Sequence, residues 1–290
     1  RQRQMCIRDR CNPGDKVVVF SPFYENYGAD AILSGAEPIY VPLVPPAFSF
    51  NPDVLEDAFR QPGVKALILC NPSNPSGKVF TREELTIIAD LAKKYDLYVI
   101  TDEVYEHILY KPHEHVYMAT LPGMRERTII CSSLSKTYSI TGWRIGYVIA
   151  SPDITERVKK VHDFLTIGAA APLMEAVVVG LNFGDEYYEE LQQHYTHMKE
   201  LFCGGLRNIG LSFVEPQGAY YVMVDISEFG YGNDYDFAVD LARKVGVGSV
   251  PGSSFFKEDV HDYVRFHFAK KDETLKAALD RLAEIRNKMK

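Results

Sequence analysis

The sequence predicts an α/β protein: a three-layer α/β/α large domain on a mostly parallel sheet, followed by a smaller C-terminal α+β domain. Three observations carry this expectation. Apolar runs at residues 65–70, 97–100 and 128–131 each end in a polar turn, and the first two flank a stretch with helical spacing. That order of strand, turn, helix and strand describes a parallel βαβ unit. Beyond residue 210 the pattern changes to short strands broken by turns, closed by one amphipathic helix. A chain of 290 residues is long enough for two cores.

In chain order, residues 1–10 come first; they are basic and lack apolar periodicity. They also lack the apolar segment of a signal peptide. They run abruptly into the turn Asn12-Pro13-Gly14-Asp15, and the expectation is that they are non-native, with the large domain incomplete on its N-terminal side. Residues 17–20 and 38–41 read as strands with a helix at 24–33 between them. After the run at 65–70, two Asn-Pro pairs and Gly77 force a rigid extended turn, because proline fixes its own φ and biases its predecessor away from helix. Thr81 and Glu84 fit a capping box, and Leu85, Ile88, Ala89 and Ala92 continue as one apolar helical face. Residues 145–150 read as a further strand, and 153–164, 174–182 and 186–208 as helices. Strands at 211–214 and 219–224 surround the turn 215–218, where Gly218 permits close backbone approach. A single helix at 273–289 carries Leu275, Ala278, Leu279, Leu282 and Ile285 on one face.

Composition narrows the function. A net charge of −7 argues against nucleic acid as a partner, since phosphate neutralisation needs a basic surface. The longest apolar candidate for a membrane span, 168–181, is short and interrupted by Pro172 and Glu175. Five cysteines without metal-ligand spacing fit free thiols in a reducing cytoplasm. His113, Glu114 and His115 follow Lys111-Pro112 and read as a solvated turn, so no metal is assigned.

The reactive residues fall just beyond the carboxyl ends of strands: Asn74 after the first run, Asp102 at the end of the second, Lys136 after the third. Open α/β sheets bind ligands at that edge. An amine forms a Schiff base only where its surroundings favour the neutral form. Ser133 and Ser135 flank the approach to Lys136, and Arg144 follows it. That setting suits a phosphate-bearing carbonyl cofactor, with the amine on the aldehyde and the hydroxyls and guanidinium on the phosphate. Each residue alone has a plainer reading: Asp102 as a helix cap, Tyr105 as a core tyrosine, Arg265 as an outward strand position.

Together, the segments 71–77 (NPSNPSG), 102–105 (DEVY), 133–136 (SLSK) with Arg144, and 264–268 (VRFHF) resemble the motif set of class I aminotransferases. These are pyridoxal-5'-phosphate enzymes of fold type I, and the resemblance runs in unbroken order from about residue 12 onward. It implies that Lys136 holds the cofactor covalently and later shuttles a proton between substrate Cα and cofactor C4'. Asp102 would pair with the pyridinium nitrogen, while Tyr105 and Asn74 would hydrogen-bond the ring's phenolic oxygen. Ser133, Ser135 and Arg144 would bind phosphate. Tyr24 would lie against the cofactor ring, with Phe23 and Tyr27 as further aromatic candidates. Arg265, with Asn74, would bind the substrate α-carboxylate.

The resemblance further implies transamination between an L-amino acid and a 2-oxo acid, with 2-oxoglutarate as acceptor, by a homodimer. It places residues 11–190 in the cofactor-binding domain and 191–290 in the small domain, bridged by the helix at 186–208. An N-terminal phosphate loop and an interface tyrosine of the family would lie upstream, so the chain is expected to be poorly active. The absence of arginine from 164–172 favours neutral or aromatic substrates. Two alternatives remain: a pyridoxal-phosphate β-lyase, or the effector domain of a pyridoxal-phosphate-binding transcription regulator.

Overall fold

The computed structural model describes residues 2–289, with residues 2–5 described by backbone alone. Successive residues of a strand face opposite sides of a sheet. In this chain both sets are apolar, so both faces must be covered. Val17, Val19, Ala66, Ile68, Ile100 and Ile129 form one buried cluster, with Ala31 and Ile154 packed on them from flanking helices. Val18, Phe20, Leu67, Leu69 and Val99 form a second, with Leu55, Phe59, Leu85 and Ile88.

The elements follow from this. Helix α1 (Gln2–Arg10) precedes β1 (Lys16–Ser21), α2 (Asn26–Leu33), β2 (Glu37–Pro42) and α3 (Pro52–Arg60). Then come β3 (Val64–Cys70), α4 (Arg82–Lys94), β4 (Tyr98–Asp102), β5 (Thr128–Ser133), α5 (Leu134–Thr137) and β6 (Gly146–Ile149). The strands form one sheet in the order β2-β1-β3-β4-β5-β6. All neighbours in it are parallel except β5 and β6. Helices α1, α2 and α6 (Pro152–Leu165) serve the first cluster, and α3 and α4 the second. The capping box forms as the sequence predicts: Thr81 Oγ1 accepts from Glu84 N, and Glu84 Oε2 accepts from Thr81 N.

Helices α7 (Ala171–Leu181) and α8 (Asp185–Ile209) lead to a second, antiparallel sheet. Its strands are β7 (Phe213–Val214) and β8 (Tyr221–Asp225), then, after α9 (Asp234–Asp240), β9 (Val250–Pro251) and β10 (Tyr263–His267). They order as β7-β8-β10-β9. Val222, Val224, Val264 and Phe266 pack with Phe202 and Leu206 of α8 and Leu275 and Leu282 of α10 (Asp272–Leu282). Tyr105, Ile108 and Tyr110 join the same cluster, so the two sheets share packed side chains.

Several expectations are corrected. The basic N-terminal segment, read as patternless, forms α1; Cys6 and Ile7 are buried against the sheet and the Arg10 guanidinium lies 4.9 Å from the Tyr98 ring. Within the helix Arg10 Nη2 pairs with the buried Asp9 carboxylate at 2.6 Å, and Arg10 Nη1 donates to the Tyr98 hydroxyl. Arg1 lies outside the described residues. The expected C-terminal helix breaks at residues 283–284, and α11 (Ile285–Lys288) follows. The break lets Ile285 and Met289 return to the core while Arg286 binds the carbonyls of Ile209 and Gly210 at the end of α8. His115 is not solvated: its side chain is only 5% exposed, with Nε2 3.1 Å from Glu103. Helices α3 and α9 were not anticipated. No helix among the described residues is long and apolar enough to cross a membrane.

Candidate active site

Cys70, Asp102 and Cys131 are paired side by side across β3, β4 and β5. The chain therefore leaves three neighbouring strands at one level, and the residues that follow share one edge. Past β3, Asn71 N donates to Asp102 O, and Asn71 Oδ1 accepts from Phe80 N, which fixes both ends of the turn. Gly77 has φ +69°, and its carbonyl accepts from both Gln217 N and Gly218 N. A Cβ on Gly77 would lie 2.9 Å from Pro216 Cβ, and one on Gly218 would lie 2.8 Å from Pro72 Cβ. Two glycines thus allow the turn of the large sheet to touch the turn before β8, as the sequence predicts for Gly218.

That contact brings Asn74 to Arg265, whose Nη1 donates to Asn74 Oδ1 at 2.6 Å. The guanidinium lies between two rings, 4.3 Å from the centroids of both Tyr221 and Phe255. Tyr221 and Arg265 come from paired strands β8 and β10, in a register that sets His267 opposite Tyr221. A planar cation held in this way is oriented for a planar carboxylate.

Asp102 ends β4 and is 5% exposed. Its Oδ2 accepts the Tyr27 hydroxyl at 2.7 Å, and Tyr27 is itself buried in the first turn of α2. Lys136 is half-buried in α5, with Nζ 5.7 Å from the Tyr220 ring centroid. Tyr105 OH is 2.9 Å from Tyr221 OH. Burial pushes the Tyr105 phenol well above its ordinary range and raises Tyr221 to about 12, so both keep their protons at neutral pH. Burial first, and then Lys270, Arg265 and Lys136, hold the His267 imidazole below its usual range. Cations from both sheets therefore face one region, which favours an anion there.

Ser133 caps α5 and donates to Ser135 Oγ at 2.7 Å. Arg144 is exposed in the left-handed conformation (φ +60°), with Nη1 on Thr141 O. The structure thus brings together Asp102 with the aromatic segment, Asn74 with Arg265, and the two serines. It leaves the Arg144 guanidinium on its own turn. Of the three aromatic candidates, Phe23 stacks on Tyr40 and Tyr27 serves Asp102, while Tyr24 is half-buried with its ring edge-on to Tyr27. Tyr27's bond to Asp102, Tyr221 and Phe255 are site features that sequence reasoning missed. Tyr27 stands three residues from Tyr24, a spacing that shares one helical face, and that was the available signal. Tyr221 and Phe255 gave none, because the place of Tyr221 depends on the register of β8 and β10, and Phe255 sits on an irregular segment between β9 and β10.

The donor set fits pyridoxal 5'-phosphate. It offers a buried carboxylate for a protonated ring nitrogen, an amine for the carbonyl, hydroxyls for phosphate, and an amide and a phenol for the phenolic oxygen. A second cation, Arg265, remains for a substrate acid.

Comparison with known proteins accords with this set. The family model for aminotransferase class I and II matches residues 3–282. The N-succinyldiaminopimelate aminotransferase structure from Mycobacterium tuberculosis superposes with a TM-score of 0.93 at 34% identity, covering 97% of this chain and 74% of that one. An aromatic aminotransferase from Pyrococcus horikoshii gives 0.92 at 32% identity, covering 99% and 78%. Kynurenine–oxoglutarate transaminase 3 of Rattus norvegicus is 34% identical over 302 residues, which span 94% of this chain and 66% of that protein.

Proposed function

This chain belongs to the class I and II aminotransferases, and from that premise we propose how its residues divide the work of transamination. The enzyme is a pyridoxal-phosphate-dependent transferase of amino groups. When bound, the cofactor supplies an electrophilic carbonyl and a ring that can accept the electrons of a breaking Cα–H bond. Lys136 Nζ would hold the cofactor at its carbonyl and, once freed by the substrate amine, would carry the proton from substrate Cα. Asp102 keeps a proton on the ring nitrogen, and Tyr27 holds the Asp102 carboxylate in aim. Asn74 and Tyr105 bind the phenolic oxygen, and Tyr24 flanks the ring. Ser133, Ser135 and Arg144 bind phosphate, with the Arg144 side chain turning from Thr141 O to do so. Arg265 receives the substrate α-carboxylate beside Asn74.

The observation that carries this assignment is the placement of Asp102 and Lys136 at the ends of adjacent parallel strands. The donor is a neutral or aromatic L-amino acid, which the rings of Tyr220, Tyr221 and Phe255 around Arg265 support. The acceptor is 2-oxoglutarate, as the likeness to the rat kynurenine–oxoglutarate transaminase supports. Residues 11–190 act as the cofactor-binding domain and 191–290 as the small domain. The active form is a homodimer; the run of exposed Phe164, Ile167, Val179 and Leu181 supports an apolar interface there. Its buried cysteines support a reducing, cytoplasmic setting.

An amino-acid panel with 2-oxoglutarate tests the reading, with glutamate as the expected product. Borohydride treatment should fix the cofactor on the peptide containing Lys136, and Lys136→Ala should lose both. Release of ammonia and pyruvate without glutamate would make the enzyme a lyase instead.

A further inference from the structure

Phe255 is completely buried, and its ring lies 4.3 Å from the Arg265 guanidinium. The segment that carries it is fastened from two sides. On the small-sheet side, the fully buried Asp234 accepts from Ser253 N and Ser253 Oγ, at 2.6 and 2.8 Å, and lies 3.2 Å from His261 Nδ1. On the large-sheet side, Phe23 N donates to Phe255 O, Lys257 N donates to Ser21 Oγ, and Ser21 Oγ donates to Glu258. Ser21 ends β1, immediately before the segment with Tyr24 and Tyr27.

A guanidinium on a flexible stem loses side-chain entropy when it is fixed for bidentate binding. Two rings within cation–π distance remove part of that freedom before substrate arrives. Tyr221 supplies one ring from the same sheet as Arg265. Phe255 supplies the other from a segment that both sheets hold.

We propose that Phe255 is a positioning residue for substrate-carboxylate recognition: braced between Asp234 and the end of β1, its ring holds Arg265 in the orientation that receives the acid. The inference rests on the reading of Arg265 as the carboxylate clamp, and the test separates the two.

Calorimetry would measure binding of 3-phenylpropionate, an aromatic carboxylate, and of phenethylamine, its size-matched amine, to the holoenzyme and its variants. Phe255→Leu keeps most of the volume but removes the ring. It should weaken 3-phenylpropionate about tenfold, the size of a cation–π contact of about 1.4 kcal/mol. Phenethylamine binding should stay unchanged, and the loss in turnover should appear in KM rather than kcat. Ser253→Ala weakens the brace by removing its Oγ bond to Asp234 without touching the ring, and should cause a smaller loss, about threefold, confined to the carboxylate. If Phe255→Leu does not fold, the Ser253→Ala result decides alone. Unchanged carboxylate binding in the folded Phe255→Leu variant, with loss in Arg265→Lys, would overturn this inference and leave the clamp standing. Equal losses for both ligands would make the role of Phe255 merely structural. No loss in Arg265→Lys would overturn the clamp and the inference with it.

Discussion

A carboxylate buried at a strand end is costly unless something holds it, and Tyr27 holds Asp102. Its hydroxyl fixes which oxygen faces the sheet edge, and a hydrogen bond to a charged acceptor contributes about 1.5–3 kcal/mol. On the proposed assignment, replacing Asp102 by Asn would remove the charge that keeps the ring nitrogen protonated, and kcat/KM should fall at least about a hundredfold in steady-state assays. Tyr27→Phe leaves the charge but loosens its aim, and should cost about tenfold in the same assays, with a shifted cofactor absorption band. Lys136, Asp102 and Asn74 stood out in the sequence because each lies within five residues after an apolar run. Tyr27 was legible only as an aromatic neighbour; that its hydroxyl meets Asp102 depends on how α2 lies on the sheet. Arg265 was legible as a residue type, but its aromatic bed was not, since Phe255 arrives from a segment without strand or helix periodicity.

Among the elements, the unit from β3 to β4 was the most readable, because its proline turn, capping box and helical face agree with one another. The turn between them also makes a sharp prediction. In Gly77→Ala a side chain must enter at φ +69°, against Pro216 and the carbonyl of Gly218. The variant should lose about 1–3 kcal/mol by denaturant unfolding, and more in carboxylate affinity than in cofactor affinity, since the displaced contact is the one that brings Asn74 to Arg265. Helix α3 carried a signal that was passed over: Asn51 accepts from Asp53 N, Pro52 occupies the first turn, and Leu55, Ala58 and Phe59 form one buried face. Helix α9 is too short for periodicity to reveal, and only its Asn233 cap marks it. The break before α11 had no local cue, because Arg286 and the end of α8 meet only after folding.

At the scale of the molecule, burial of imidazoles sets the response to acid. Burial is the largest cause holding both His107 and His267 below their usual range. These imidazoles, with His113, take up protons near pH 6.5 in the unfolded chain but not in the folded one. His261, raised by its bonds to Asp234 and Asp259, acts in the opposite sense. With three lowered and one raised, stability on balance falls as pH drops below 6.5. Thermal melts from pH 8 to pH 5 should show a flat region and then a decline beginning near pH 6.5, and His107→Gln should make the decline shallower. The exposed apolar side chains of 164–181 lead to a second expectation: sedimentation should give a dimer, and Phe164→Glu should shift it toward monomer. The fold class was readable because apolar runs and turns report layers directly. The packing between the two sheets was not, since it joins residues as distant in sequence as Tyr105 and Tyr221.

The main-chain contact of Gly77 with Gln217 and Gly218 has a bearing on how such an enzyme could change its diet. Bonds between backbone groups do not depend on which side chains surround them. Recognition of the acid group, common to every amino acid, is thereby insulated from the residues that read what distinguishes one amino acid from another. Laboratory evolution of this chain toward new donors should therefore accumulate its substitutions outside the clamp, leaving Asn74, Gly77, Gly218, Tyr221, Phe255 and Arg265 untouched.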